Sequence, residues 1–300
     1  MKFLFFVLVG VGFTFLCPTH ALAGETGLTV TPVFQEVTLA TDEAEARFSI
    51  TLTNQTDGPL VLRPSVVDFG SLDESGGVAF LGASDNLVRK YSLASWMRPE
   101  KDIVSLEAGE SEDLRVVIEN RESLSPGGHY GAVLFTIGNE EGDAKENAVA
   151  VNQLLSVLVF AKKEGGEIYR LNLLDRTWER SLLFGLSQTS LRFQNEGNVH
   201  IVPRGIVTLT DPLGRVVEKG IINTESSLVL PESQRTFVTK LSLVTPLLIP
   251  GRYTLRTDYR YDGQEAFESA TDTIVLLPWP TFVAILVLGI GFFGLRLRKK

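Results

Sequence analysis

The feature that most restricts the fold of this chain is a strict alternation of apolar and polar residues. The segment EARFSITLTN, residues 45–54, alternates without a break, and residues 113–119 and 252–260 follow the same pattern. Successive side chains of a β-strand point to opposite faces, so each segment is predicted to be a strand with one buried face. Short strands with turn residues about every ten positions predict an all-β fold of the antiparallel sandwich or barrel type.

The sequence also contains an internal repeat. Three segments recur in the same order in the second half, and the pairs are 49–64 with 190–205, 104–118 with 228–242, and 124–135 with 248–259. Three matched segments in one order indicate two related domains. We predict two tandem immunoglobulin-like β-sandwiches, residues 25–163 and 167–277, joined near residues 162–166.

The polar segment FQNEGNVHIVPRG, residues 193–205, raises the question of a functional site around His200. Asn195, Gly197 and Asn198 correspond to a polar turn that follows Asn54 in the first repeat. Such residues accept turn conformations and hydrogen-bond the backbone of their own turn. We therefore interpret the segment as a structural turn and His200 as a structural residue at the start of the next strand.

A proline–glycine turn followed by a tyrosine occurs once in each repeat. The side chains of Tyr130 and Tyr253 are predicted to fix these turns across the sandwich. His129 precedes the first of them, but no serine or cysteine nucleophile is placed beside it. With no cysteine expected in the mature chain and few histidines, no metal cluster can be assembled. We therefore predict no enzymatic activity, no cofactor and no metal.

The first repeat is longer than the second. The distance from Asn54 to Pro126 is 72 residues and that from Asn195 to Pro250 is 55, and the 17 extra residues fall in an insertion at 69–101. Insertions in loops often carry binding surfaces. We predict a candidate ligand surface in this insertion at its cluster of cationic and aromatic side chains, Arg89, Lys90 and Tyr91.

The N-terminus has the pattern of a secretory signal peptide. A lysine, an apolar run and Ala21-Leu22-Ala23 predict cleavage between Ala23 and Gly24, with residues 1–23 removed. Cys17, the single cysteine, is expected to leave with the signal. Lipidation of Cys17 and processing of the C-terminus are alternatives that the sequence leaves open.

The C-terminus predicts a membrane anchor. No residue from Leu276 to Leu295 is charged, and about 20 apolar residues suffice to span a bilayer. We predict a transmembrane helix at 278–297, bounded by Trp279 and Arg296, with a cytoplasmic tail at 298–300 and the preceding domains outside the membrane.

The charge of the exported part excludes nucleic acid as a partner. Without Lys2 and the four C-terminal cations, 23 cationic side chains face 36 acidic ones, a net charge of about −13. Such a surface repels phosphate backbones.

Residues 91–135, YSLASWMRPEKDIVSLEAGESEDLRVVIENRESLSPGGHYGAVLF, resemble the N-terminal domain of WxL-interacting proteins. Residues 195–217 are similar to the second domain of that family of bacterial cell-surface proteins. The resemblance implies two immunoglobulin-like domains, a C-terminal membrane helix, peptidoglycan binding by the first domain and surface-protein partners for the second.

Two functions are consistent with this sequence. The first is a membrane-anchored bacterial cell-surface scaffold or adhesion protein that engages peptidoglycan or cell-surface proteins. The alternative is an assembly factor like the pilus chaperones, which are also immunoglobulin-like and act by donating a strand edge to a subunit.

Overall fold

The protein is described from a computed structural model that covers residues 27–80, 89–138, 154–181 and 184–298. The predicted signal peptide and its cleavage pair, Ala23 and Gly24, lie outside these described residues.

Ten strands build the N-terminal half of the described chain. Their bounds are β1 Leu28–Thr31, β2 Phe34–Leu39, β3 Glu45–Asn54, β4 Leu60–Ser71, β5 Val78–Phe80, β6 Met97–Pro99, β7 Val104–Leu106, β8 Ser111–Glu119, β9 Gly127–Gly138 and β10 Leu154–Lys163. Short 3₁₀ turns at Arg89–Tyr91 and Ala94–Trp96 precede β6.

These strands form two sheets. One has the order β1-β3-β8-β6, and the other has the order β2-β10-β9-β4-β5, with β7 paired to β4. The alternation in β3 places Phe48, Ile50 and Leu52 in the core between the sheets. Strands β9 and β10 contribute Val133, Phe135, Val157 and Val159 from the opposite side. We call this unit the N-terminal sandwich.

Eight further strands build a second unit, the C-terminal sandwich. Their bounds are β11 Leu171–Ser181, β12 Gly185–Asn195, β13 Arg204–Thr210, β14 Val216–Ile222, β15 Gln234–Lys240, β16 Ser242–Leu243, β17 Gly251–Arg260 and β18 Glu268–Leu276. The sheets have the orders β11-β12-β15 and β16-β14-β13-β17-β18. Phe193, Tyr253 and Leu255 lie in its separate core. The all-β prediction is therefore confirmed.

One α-helix, α1, spans Trp279–Arg298. Over the described parts of the chain, no helix is both long enough and apolar enough to cross a membrane. The prediction of a transmembrane helix at 278–297 is therefore wrong, and so is the single-pass membrane location with a cytoplasmic tail.

Trp279, one of the two predicted membrane-boundary residues, begins α1 and is 52% exposed. The side chain of Arg296, the other boundary residue, lies outside the described part of the chain, as do residues 299–300.

Candidate functional site

Asn195 organises the polar turn that the sequence singles out. Its side chain is fully buried, and Nδ2 donates to the carbonyls of Val199 at 2.7 Å and Val229 at 2.9 Å. Its Oδ1 accepts the Gly197 N–H at 2.8 Å. Asn54 is equally buried in the N-terminal sandwich, where Nδ2 donates to the Gly58 carbonyl at 2.8 Å. Each asparagine satisfies buried backbone groups that its turn leaves unpaired.

The same turn also joins the two sandwiches. The Asn198 carbonyl accepts the Gly128 N–H at 2.7 Å, and Asn198 Nδ2 donates to the Gly166 carbonyl at 2.9 Å. Asn198 Oδ1 accepts the Ile168 N–H at 2.6 Å. A side chain at Gly128 would begin 3.3 Å from the Asn198 carbonyl and 2.1 Å from the Tyr130 hydroxyl. The turn is therefore part of the contact between the sandwiches as well as a local structure.

Aromatic rings fill the centre of that contact. The Tyr130 ring meets His200 and Phe160 edge to face, with ring centroids 5.8 Å apart in both pairs. Tyr130 is 2% exposed, and its hydroxyl forms a hydrogen bond of 3.3 Å with His200 Nδ1. Burial raises the pKa of Tyr130 well above its usual value, so the hydroxyl keeps its proton. Tyr130 therefore contacts the neighbouring sandwich, whereas Tyr253 donates to the Ile249 carbonyl at 2.5 Å within its own corner.

His200 makes this contact sensitive to acid. Burial lowers the pKa of His200 below its ordinary value of 6.5, although the nearby carboxylates of Glu36 and Asp262 oppose the shift and Lys162 adds to it. As pH drops below 6.5, His200 therefore takes up a proton more readily in the unfolded chain than in the folded chain. The free energy of unfolding consequently falls. His129, also buried, is shifted in the same direction, and its ring nitrogens contact the Ser92 and Ser125 carbonyls at 3.1 and 2.8 Å.

We expect His200→Gln, which removes the titrating group, to lose less stability than the wild type between pH 7.5 and pH 5. Each unit by which the His200 pKa is lowered corresponds to about 1.4 kcal/mol of this difference. The urea midpoints of the two proteins at several pH values provide the measurement. His129 titrates in both proteins and cancels in the comparison, and parallel profiles would contradict the prediction.

The predicted ligand surface of the insertion also lies at the contact between the sandwiches. The Tyr91 hydroxyl donates to Glu232 Oε1 at 2.8 Å, and Lys90 Nζ donates to the same oxygen at 3.2 Å. Glu232 belongs to the C-terminal sandwich and has a φ of 56°. Both bonds lower its pKa, the Tyr91 bond most strongly. The side chain of Arg89 and residues 81–88 lie outside the described part of the chain.

The turn between β4 and β5 reaches the C-terminal sandwich beside these residues, and we call residues 71–77 the finger. Glu74 Oε2 accepts from Arg192 Nε at 2.8 Å, and Oε1 accepts from a second nitrogen of the same guanidinium. The Glu74 carbonyl accepts the Thr236 N–H at 2.8 Å. The insertion therefore connects the two sandwiches at Glu74 and at Tyr91.

Near this region, one edge of β10 is only partly paired. β2 pairs in parallel with β10 only from Leu158 to Lys163, and the Leu158 N–H donates to the Val33 carbonyl on that side. Backbone groups alternate in direction along a strand, so the N–H and C=O of Ser156 point to the same side as those of Leu158. Among the described strands, none pairs with that side of residues 154–157.

The side chains of β10 alternate between two apolar surfaces. Leu155 and Val157 face the core of the N-terminal sandwich. Leu158 and Phe160 face a cleft of about 420 Å³ between the sandwiches. Apolar residues, including Phe69, Leu228 and Leu230, line this cleft together with Arg204, Arg235, Glu36 and Glu225.

Several other edges have features that oppose strand addition. β11 contains two register shifts, and β18 carries Asp272, whose carboxylate accepts from Arg176 at 2.7 and 3.0 Å. β1 has four residues and β6 has three. Bulges, charges and short length are the features by which proteins protect sheet edges. Residues 154–157 carry no charge and continue into a longer strand.

Sequence reasoning did not identify Glu74, Arg192, Glu232 or the free edge at Ser156. The apolar run LLSVLVFA at 154–161 was a signal for a strand with two buried faces. No comparable signal marks the two glutamates, because their partners lie far away in sequence. As for metals, no group of three or more His, Cys, Asp or Glu among the described residues could hold an ion.

No protein-family model matches the chain, and no curated protein matches it. Solved structures similar in fold include the class 5 fimbriae chaperone CfaA, 12% identical over 83% of this chain and 100% of that one, with a TM-score of 0.44. The chaperone–tip adhesin complex of CFA/I fimbriae is 10% identical over 83% and 99% of the two chains, with a TM-score of 0.45. The CsuC–CsuE pre-assembly complex of Acinetobacter baumannii is 11% identical over 83% and 99%, with a TM-score of 0.38.

None of the solved structures named above is described as binding peptidoglycan, and that part of the predicted function is not supported. The predicted membrane anchor of the scaffold is corrected by the absence of a membrane-spanning helix from the described residues.

Proposed function

We propose that this protein is a chaperone-like assembly factor that binds an extended segment of an exported surface protein along the free edge of β10. The observation that supports this most strongly is the unpaired side of residues 154–157, which precede the part of β10 that pairs with β2. A segment bound there would lie in line with β2, beyond its first residue, and would pair with the unpaired part of β10.

Backbone hydrogen bonds supply the affinity in this mode of recognition, and alternate side-chain positions supply the specificity. Ser156 offers one N–H and one C=O to the incoming strand. Its neighbour Leu155 is partly buried against the core of the N-terminal sandwich, whereas Val157 is fully buried in that core. The favoured partner is therefore a segment of alternating apolar residues, one face of which would cover the exposed part of Leu155.

The other face of the added strand would lie toward the cleft. Phe34, at the start of β2, is 56% exposed and lines the cleft together with Leu158. Burial of apolar surface contributes about 25 cal/mol per Å², so aromatic or branched side chains on this face of the partner would strengthen the complex.

The test uses a proline at the centre of the free edge. Ser156→Pro removes the outward N–H without removing a hydrogen bond to β9, since proline is tolerated where the N–H of an edge strand faces solvent. We expect its affinity for the partner to fall at least about tenfold, as loss of a hydrogen bond and steric exclusion together exceed ~1.4 kcal/mol. Ser156→Thr keeps the N–H and is the matched control, with affinity close to that of the wild type.

A photo-reactive benzoylphenylalanine at position 156 identifies the partner in cells, and the same probe at the exposed Ala108 reports nonspecific capture. We expect position 156 to crosslink an alternating apolar segment of an exported protein, with slowed amide exchange at residues 154–157 in the purified complex. A partner that protects only other surfaces, or that binds Ser156→Pro as tightly as the wild type, would overturn the proposal.

A further inference from the structure

The finger, residues 71–77, is held in one shape by its own hydrogen bonds. The Asp73 carboxylate accepts the Ser75 N–H at 2.8 Å and the Ser75 hydroxyl at 2.6 Å. The Leu72 N–H donates to the Gly77 carbonyl at 2.9 Å, which closes the base of the turn. Bonds from Ser75 hold the pKa of Asp73 below its usual value, so the carboxylate stays charged as an acceptor. A preformed turn loses little conformational freedom when its tip docks.

The tip of the finger docks on β12 and β15 of the C-terminal sandwich. Glu74 holds the Arg192 guanidinium through two nitrogens, and its carbonyl accepts the Thr236 N–H at 2.8 Å. Two-point pairing fixes orientation as well as distance. The side chains of Glu74 and Arg192 are about two-fifths exposed, so their role is geometric, because exposed ion pairs add little to stability.

The finger also forms one wall of the cleft. Gly76 has a φ of 93°, and a Cβ added there would lie 2.2 Å from Cζ of Arg235. Arg235 lines the cleft on the C-terminal side, where its Nη1 donates to the Leu228 carbonyl at 2.7 Å. The position of the finger therefore sets how closely the two walls approach each other.

Two further contacts link the sandwiches at other points. One is Glu232 with Tyr91 and Lys90, and the other is Asn198 with Gly128. Two rigid bodies that touch at a single point can rotate against each other, whereas contacts at three points restrict rotation about any one of them. Each of the three contacts contains a hydrogen bond at 2.8 Å or less.

We propose that the finger is a positioning element that fixes the angle between the sandwiches and thereby the width of the cleft beside the free edge of β10. Glu74 and Arg192 are the positioning residues. The geometric part of this inference stands on the contacts alone, and its consequence for partner binding rests on the proposed function.

The test measures the distance between the sandwiches directly in the full chain. Cys17, the only cysteine, is replaced by serine, and Ala108→Cys and Ala266→Cys introduce spin labels at exposed sites, one in each sandwich. Double electron–electron resonance then gives the distribution of label-to-label distances. Glu74→Arg places two cations side by side, and we expect the distribution to become about twofold broader.

The compensating exchange is the matched control. Arg192→Glu alone should also broaden the distribution, and Glu74→Arg combined with Arg192→Glu should restore the wild-type width. Charge reversal could disturb folding, so Glu74→Gln provides a second test of the Glu74–Arg192 pair. Glutamine keeps the shape of the side chain and removes only its charge. We expect this variant to broaden the distribution less than Glu74→Arg does.

Unchanged distance distributions in both Glu74→Arg and Arg192→Glu would overturn the inference, as would broadening that the double variant fails to restore. Neither result depends on a partner. Failure of the proposed function would instead appear as equal partner binding by Ser156→Pro and wild type, with the distance result intact.

Discussion

Replacing Asn195 by alanine is expected to lower the free energy of unfolding by about 2–3 kcal/mol, because buried backbone groups lose their partners. The Val199 carbonyl loses the donor at 2.7 Å, and the Gly197 N–H loses its acceptor at 2.8 Å. The Val229 carbonyl loses one of two donors, since it also accepts the Ile201 N–H at 3.1 Å. Equilibrium unfolding in urea, followed by far-ultraviolet circular dichroism, measures the change.

Two further variants show whether this loss comes from the buried turn. Asn54→Ala removes the corresponding amide of the N-terminal sandwich, which bonds the Gly58, Leu106 and Glu107 carbonyls, and should cost a comparable amount. Asn172→Ala, on the partly exposed strand β11, should change stability by less than about 0.5 kcal/mol. Equal effects of Asn172→Ala and Asn195→Ala would show that the buried amide has no special role.

The local structure of the strands was accessible from sequence because it depends on neighbouring residues. Residues 45–54 form β3, and the alternate positions Phe48, Ile50 and Leu52 are buried as the pattern predicts. Residues 252–260 lie within β17, with Tyr253 buried. Alternation has a period of two, which only an extended strand with one buried face can satisfy.

The contact between the sandwiches was not accessible in the same way. Glu74 and Arg192 are 118 positions apart, and nothing in the local pattern of either residue indicates the other. His200 appeared to be a simple strand-start residue, yet it packs on Tyr130 and Phe160 of the other sandwich. Such pairs arise from the relative placement of two folded units, which a single sequence without aligned relatives does not encode in any local period.

The insertion shows that the residues of a predicted ligand surface can also bind a carboxylate of the same chain. The sequence indicated extra cationic and aromatic residues, and loops often carry binding sites. In the structure, Lys90 and Tyr91 satisfy Glu232 of the C-terminal sandwich. A cation and a phenol next to each other are equally suited to a ligand carboxylate and to a carboxylate of the same chain. Only the tertiary structure distinguishes the two.

Glu218→Gln is expected to make the protein more stable than the wild type at neutral and alkaline pH. Glu218 lies on β14, is 3% exposed, and accepts the Leu186 N–H at 3.3 and 3.1 Å. Gly185 has a φ of 90°, and a Cβ there would lie 2.3 Å from Glu218 Oε1, so the carboxyl is closely enclosed. Burial raises the pKa of Glu218 to about 7, and the bond from Leu186 offsets only part of that shift.

The direction of the pH effect follows from this raised pKa. Below pH 4.5, the ordinary value for glutamate, the carboxyl is protonated in both the folded and the unfolded chain. Between pH 4.5 and about 7 only the folded chain keeps the proton, so stability falls as pH rises through this interval. The total loss is about 3 kcal/mol at 1.36 kcal/mol per pKa unit.

The stability difference between Glu218→Gln and wild type should therefore be small near pH 4.5, grow up to pH 7 and stay constant above it. Glutamine keeps the shape of the protonated acid and an oxygen that accepts the Leu186 N–H, so a constant offset from packing is small. Urea titrations at half-unit steps of pH measure the profile, and the exposed Glu265→Gln is the matched control. A difference that does not change with pH would mean that Glu218 is ionised in the folded protein, because only a proton retained on folding makes the carboxylate costly above neutrality.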